Sequence, residues 1–180
     1  MDTHWYVVPP GVTMASMFRN ATEADIWALR DLERDANGAA LAHVFPPQRY
    51  PFPDDDVVAR WALVLQDPTA QVLVLDADPD EPAKGLVLFA AHDDRSLRHL
   101  AVRPDHWGHG LATTAIDTVV DNMNRRGTTI AELWVLEENH RARRFYEYNG
   151  WRASTERQQA PWPPHPTEIR YTRLVVQSDR

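Results

Sequence analysis

The stretch that most constrains this chain runs from Leu97 to Met123. Leu97 to Val102 is an apolar run with strand character, and Pro104 closes it because proline has no N–H to give to a ladder. Gly108 and Gly110 follow, at the mouth of a segment in which Ala112, Ile116, Val119, Val120 and Met123 recur at helical spacing. Strand, glycine-containing turn and helix together present unpaired backbone N–H groups, and such a helix start favours an anion. The two glycines let a ligand approach the main chain because they have no Cβ. A plain helix start with glycines for turn geometry has the same pattern, and this stretch alone does not separate the two. Two nucleotide motifs are disfavoured. No Gly-x-x-x-x-Gly-Lys-Ser/Thr string occurs, and a dinucleotide fingerprint needs a third small residue where Thr113 stands, near the first strand of its unit.

The rest of the chain bounds the context. Its 180 residues suffice for one domain, and an apolar content of 43% supports a core. There is no cysteine, which excludes disulfides, thiolate metal sites and cysteine nucleophiles. No N-terminal apolar core of a signal and no long apolar span is visible, so a soluble cytoplasmic protein with no membrane partner is expected. A net charge of −7 disfavours nucleic acid and mildly favours cationic substrates, although acidity is also common in soluble proteins generally.

Read in order, residues 1–13 contain Pro9-Pro10-Gly11 and no periodicity, and form an expected N-terminal extension to a single domain over residues 14–180. Strands are expected over residues 14–19, 72–75, 85–91, 97–102 and 130–136, with a closing antiparallel pair at 151–158 and 169–176. Thr22 reads as an N-cap with Asp25 in the capping-box position, opening a helix through Ile26, Leu29 and Leu32 that Asn37-Gly38 should stop. Further helices are expected over 54–66, from Gly110 to near Arg126, and over 139–149, ended by Gly150. Between the first two helices, Phe45-Pro46-Pro47 and Tyr50-Pro51-Phe52-Pro53 argue for an irregular segment. The loop from Ala160 to Pro166 is too proline-rich for strand.

A second block changes the reading: Asn139, Ala142, Phe145, Tyr146, Gly150 and Trp151 follow the apolar strand at 130–136. With Trp107-Gly108-His109-Gly110-Leu111-Ala112 upstream, this pair of blocks resembles the GNAT N-acetyltransferase superfamily. That family's loop usually begins with Arg or Gln, and here Trp107 stands in that place. The resemblance is specific between Leu97 and Trp151. It implies an α/β (α+β) fold with a mixed, mostly antiparallel central sheet, splayed strands and helices on both faces.

The resemblance also implies acetyl-CoA as co-substrate and transfer of its acetyl group to a primary amine. A small molecule is the first expectation for the acceptor. A peptide or protein N-terminus or lysine, or a CoA-binding module without chemistry, are the alternatives. Cofactor contacts are implied for Leu100, Ala101, Val102, Trp107, Gly108, His109, Gly110, Leu111, Ala112, Thr113 and Asn139. Tyr146 matches the family position of a general acid beside the thioester sulfur. Relatives acting on a ribosomal-protein N-terminus often carry Glu where Trp134 stands, so a base is not evident there. Glu138 is the nearest carboxylate candidate and Glu137 the second. On the family's topology, Phe45, Tyr50 and Phe52 with Trp162 wall the acceptor site, a well-packed connector being the equal alternative for the segment after the first helix. Asp54-Asp55-Asp56 would add attraction for a cationic acceptor, although as a helix start the run already has a structural reason. His106 and His109 invite a metal, but no third ligand is evident, so no metal is expected. Arg141, Arg143 and Arg144 read either as a solvated helix face or as contacts to the cofactor's 3′-phosphate. A homodimer is one option for the assembly.

Overall fold

In the computed structural model, which describes residues 13–175, the chain runs β1 (Arg19–Asn20), α1 (Ile26–Leu41), α2 (Asp54–Gln66), β2 (Gln71–Asp76), β3 (Leu86–His92), β4 (Leu97–Val102), α3 (Leu111–Arg125), β5 (Ile130–Leu136), α4 (His140–Tyr148), β6 (Arg152–Gln159) and β7 (Thr167–Leu174). Strands β1 to β4 form one antiparallel sheet in chain order. Strands β5, β7 and β6 form a second, also antiparallel. The two sheets meet at a single parallel bridge, Ser96 opposite Glu132, where the Glu132 N–H donates to the Arg95 carbonyl at 2.9 Å. Past that bridge no ladder joins β4 to β5, so the facing edges of two splayed strands are left with open N–H and C=O groups.

Strand alternation sends successive residues to opposite faces. Val72 and Val74 of β2, with Phe89 and Ala91 of β3 and Ala101 of β4, pack under Leu29, Leu32 and Ala36 of α1 and Val57 and Trp61 of α2. Leu73 and Leu75 point the other way, into a core with Ala115, Ile116, Val119 and Met123 of α3. That second core also takes in Ala131, Leu133 and Val135 of β5, so α3 ties the two sheets together on one face while their edges stay apart. Among the described residues, no helix is long and apolar enough to cross a membrane.

The expected bounds at 54–66, 97–102 and 130–136 coincide with α2, β4 and β5. Two expectations are corrected. Residues 14–17 form a 3₁₀ turn, and the first strand is only Arg19–Asn20. The Ser16 N–H and hydroxyl both bond the Thr13 carbonyl, at 3.0 and 2.7 Å, a local closure that competes with strand pairing. Helix α1 does not stop at Asn37-Gly38 but continues to Leu41, because burial of Ala36 and Leu41 outweighs the local preference of Asn-Gly. Thr22 starts a 3₁₀ turn, Glu23–Asp25, that leads into α1, whose own N-cap is Asp25; the Thr22 N–H donates to the Asp25 carboxylate at 2.7 Å, the reciprocal half of the expected box. The expected extension over residues 1–13 lies, Thr13 apart, outside the described residues, as does Val176.

Candidate active site

A cavity of about 430 Å³ opens beside the free edge of β4. Leu100, Ala101 and Val102 form one wall, and the turn through Trp107, Gly108 and Gly110 forms its end, with Leu111, Ala112 and Thr113 of α3 behind it. Gly108 and Gly110 have φ of 82° and 79°, a region that suits residues without a Cβ. A Cβ placed on either glycine meets nothing within 4 Å, so the space above the turn is open. Gly110 is the N-cap of α3, and the first bond back to it comes from the Thr114 N–H at 3.1 Å. Helix geometry leaves the N–H groups of Leu111, Ala112 and Thr113 with no carbonyl four residues back, directed at that space. Of the two histidines, His106 lines the cavity and His109 does not. The His106 ring sits 2.7 Å from Asp105, and among the described residues no group of three or more His, Asp or Glu could hold a metal.

Trp107 does not mimic the Arg or Gln it replaces. Its Nε1–H donates to the Val102 carbonyl at 2.7 Å, folding the turn back on β4. The Arg141 guanidinium from α4 lies 3.6 Å from the centroid of the Trp107 ring, a close cation–π contact, and Arg141 also lines the cavity. No carboxylate pairs with Arg141 among the described residues.

Across the cavity stand Asn139, Ala142, Phe145 and Tyr146. Asn139 is the N-cap of α4, and its Oδ1 accepts the Ala142 N–H at 3.1 Å. Tyr146 is 9% exposed, and its ring packs on Phe145, Trp151 and Tyr171 with centroids 5.4, 6.1 and 6.4 Å away. Its hydroxyl has no hydrogen-bond partner among the described residues. Burial pushes the phenol above its ordinary ionisation range, so it stays neutral. Tyr146 is therefore a core aromatic and a cavity residue at once. Glu138 is placed elsewhere: it is exposed on the turn after β5, its carbonyl contacts the His43 ring at 3.1 Å, and neither it nor Glu137 lines this cavity.

A second cavity, about 520 Å³, gathers Phe45, Tyr50 and Phe52 from the segment after α1 with Trp162 from the loop between β6 and β7. It shares Asn37 and Leu41 with the first cavity, so the two adjoin along the end of α1. The buried Glu33 also lines it, accepting Arg60 Nη2 at 2.5 Å and Trp61 Nε1 at 3.0 Å. The acidic run does not. None of Asp54, Asp55 and Asp56 lines the cavity, and Asp54 is held by Arg30 at 2.6 Å and Arg34 at 3.2 Å, chiefly Arg30 keeping its carboxyl below the usual range. Asp54 is thereby engaged with α1, and the run starts α2 without walling the cavity. Glu33, Asn37 and Leu41 escaped the sequence reading, although their spacing of four puts them on one face of a helix once that helix is allowed past Gly38.

The architecture matches known structures over nearly the whole chain. A GCN5-related N-acetyltransferase of Rhodopseudomonas palustris aligns with a TM-score of 0.69 and 17% identity, covering 87% of this chain and 94% of that one. The PaiA N-acetyltransferase of Thermoplasma acidophilum, solved with coenzyme A, aligns at 0.65 and 14% identity, over 87% and 97%. A ribosomal-protein-alanine N-acetyltransferase of Escherichia coli aligns at 0.65 and 18%, over 91% and 96%. At these identities the likeness shows the fold. No curated protein matches in sequence. The model of the Acetyltransferase (GNAT) family, however, matches residues 26–151, from the start of α1 to Trp151, and the chain belongs to that family of acetyltransferases.

Proposed function

We propose that the chain moves the acetyl group of acetyl-CoA to a primary amine on a small molecule. The observation that carries this reading is the junction of the two cavities at Asn37 and Leu41. One cavity has the open strand edge and the bare helix start. The other has apolar, proline-held walls. Their sizes fall in the ordinary range of small-ligand sites. Acetyl-CoA supplies the thioester whose acetyl group passes to nitrogen as the C–S bond breaks, so one proton must reach sulfur and one must leave the amine.

The fit to such a ligand rests on this chain's own groups. The N–H groups of Leu111, Ala112 and Thr113 suit a pyrophosphate, over glycines that leave room for it. The open edge of β4 can pair with the pantetheine arm as a neighbouring strand would, with the Val102 carbonyl already sharing its lone pairs with Trp107. The Thermoplasma acidophilum structure, of the same fold, was solved with coenzyme A, which supports this placement. Tyr146 is neutral, lines the cavity and has a free O–H, the requirements for donating a proton to a leaving thiolate. The cavity beside β4 has no carboxylate among its lining residues, so no carboxylic acid competes with Tyr146 there. A peptide N-terminus finds less support, since Trp134 cannot accept a proton.

The test is a panel of amines with acetyl-CoA, followed by thiol release, with CoA binding measured by calorimetry on the same preparation. Release with at least one small amine is expected. Tight CoA binding with no release for any amine makes the chain a binding module and overturns the reading.

A further inference from the structure

The lining of the aromatic cavity carries one dominant sign of charge. Arg34, Arg49 and Arg60 reach it, against a single carboxylate, Glu33. Their partners decide which of these charges remain available. Arg34 is engaged by Asp31 at 2.9 Å and Asp54 at 3.2 Å. Arg60 gives Nη2 to Glu33, and its Nε is buried out of contact with solvent. Arg49 has no carboxylate partner among the described residues, and its guanidinium lies 5.4 Å from the centroid of the Tyr50 ring. Glu33 already accepts two charge-assisted or aromatic N–H bonds.

A lone exposed arginine is ordinary. Here it shares a concave space, walled by Phe45, Tyr50, Phe52 and Trp162, in which the other two guanidinium groups, of Arg34 and Arg60, already have carboxylate partners. A planar, acceptor-only group matches the fork of an unpaired guanidinium that stands against an aromatic wall. An extra ammonium in the same space would instead face Arg49 and find its only carboxylate engaged. Building on the acetyl-transfer reading, we infer that the acceptor is an amine that also bears a carboxylate on an apolar body. The carboxylate is held by Arg49, the body lies among the four aromatic side chains, and the amine points toward Asn37 and Leu41, where the cofactor cavity begins. The occupant is then a small amino acid-like compound, and diamines and polyamines are poor acceptors.

The experiment compares each acid with its own amide: phenylalanine with phenylalaninamide, and methionine with methioninamide, by thiol release. In parallel, the N-acetylated acids and amides are titrated by calorimetry, which removes the amine's own acidity and the need for turnover from the comparison. The acid of at least one pair should bind at least about tenfold more tightly than its amide. Arg49→Gln should bring the two to near parity, while Arg49→Lys should keep part of the preference. Equal binding of acid and amide, a preference for the amide, binding by neither member of either pair, or an acid preference that survives Arg49→Gln each overturns the inference. A clear acid preference in calorimetry with no thiol release from any acceptor supports the carboxylate site and overturns acetyl transfer instead.

Discussion

Tyr146 has two properties that act in the same direction. It is packed on three aromatic rings, so its position is fixed, and burial keeps its phenol protonated. Tyr146→Phe keeps the packing and removes the proton. Turnover should fall by about 10²-fold or more while the CoA dissociation constant stays near wild type, as single-turnover kinetics and calorimetry would record. Unchanged turnover would reduce Tyr146 to a packing residue. Arg141 is the complementary case, a charge displayed on a ring rather than buried. Arg141→Gln should leave the fold intact and weaken CoA binding by about tenfold, measured by calorimetry, if its guanidinium serves a cofactor phosphate. At this scale the sequence was legible where a motif names a position, as at Gly108, Gly110 and Tyr146. It was not legible where two distant residues choose each other. Nothing local to Trp107 announces Arg141, and nothing in the acidic run at 54–56 announces that Arg30 and Arg34 will neutralise Asp54.

Among the elements, α3 offers an internal control. It is bracketed by two glycines of left-handed conformation, Gly110 before it and Gly127 after it, with φ of 79° and 85°. At the far end the Gly127 N–H bonds the Asn124 carbonyl and the Thr128 N–H bonds the Met123 carbonyl, the usual closure of a helix. An added Cβ meets no neighbour at either site, so both substitutions to alanine act mainly through backbone strain, about 1–2 kcal/mol each. Thermal unfolding should show similar losses for Gly110→Ala and Gly127→Ala. CoA binding should weaken, by about tenfold, only for Gly110→Ala, because only there does the methyl group enter the space proposed for the pyrophosphate. Equal CoA affinity in the two variants would detach the ligand from this turn. The elements themselves were largely readable: β4 and β5 are apolar runs with clear stops, and α2 begins at its acidic turn. The end of α1 was not, because Asn37-Gly38 is a stop signal only where no apolar contact lies beyond it, and Leu41 supplies one.

For the whole molecule, pH provides a direct readout of packing. The His99 ring is enclosed against Trp61, with centroids 5.5 Å apart, and lies near Arg60 and Arg98. Desolvation first, then those two guanidinium groups, push its pKa down to about 3. The buried His92 is lowered too, mainly by desolvation. An unfolded chain binds protons at both rings from about pH 6.5 downward while the folded chain does not. Their contribution to stability is therefore complete above about pH 6.5 and is lost progressively as pH falls toward 3. The melting temperature should decline across pH 6.5 to 4.5, before most carboxylates titrate, and His99→Gln should flatten that decline while His92 keeps part of it. A pH-independent melting temperature in that window would show that neither ring is harder to protonate in the folded chain than in the unfolded one.

The single bridge between Ser96 and Glu132 has a further consequence. Two sheets that share one rung and one helix meet along a seam, and the proposed cofactor cavity opens along the β4 side of it. A ligand lying along it would act as a missing strand, a removable brace that mends the break in the sheet. Binding and cohesion then become one quantity. At a ligand concentration a hundredfold above its dissociation constant, the brace contributes about 2.7 kcal/mol to the folded state. Catalysis, which must release the spent CoA, and with it the brace, each cycle, would alternate the protein between a mended and an open form.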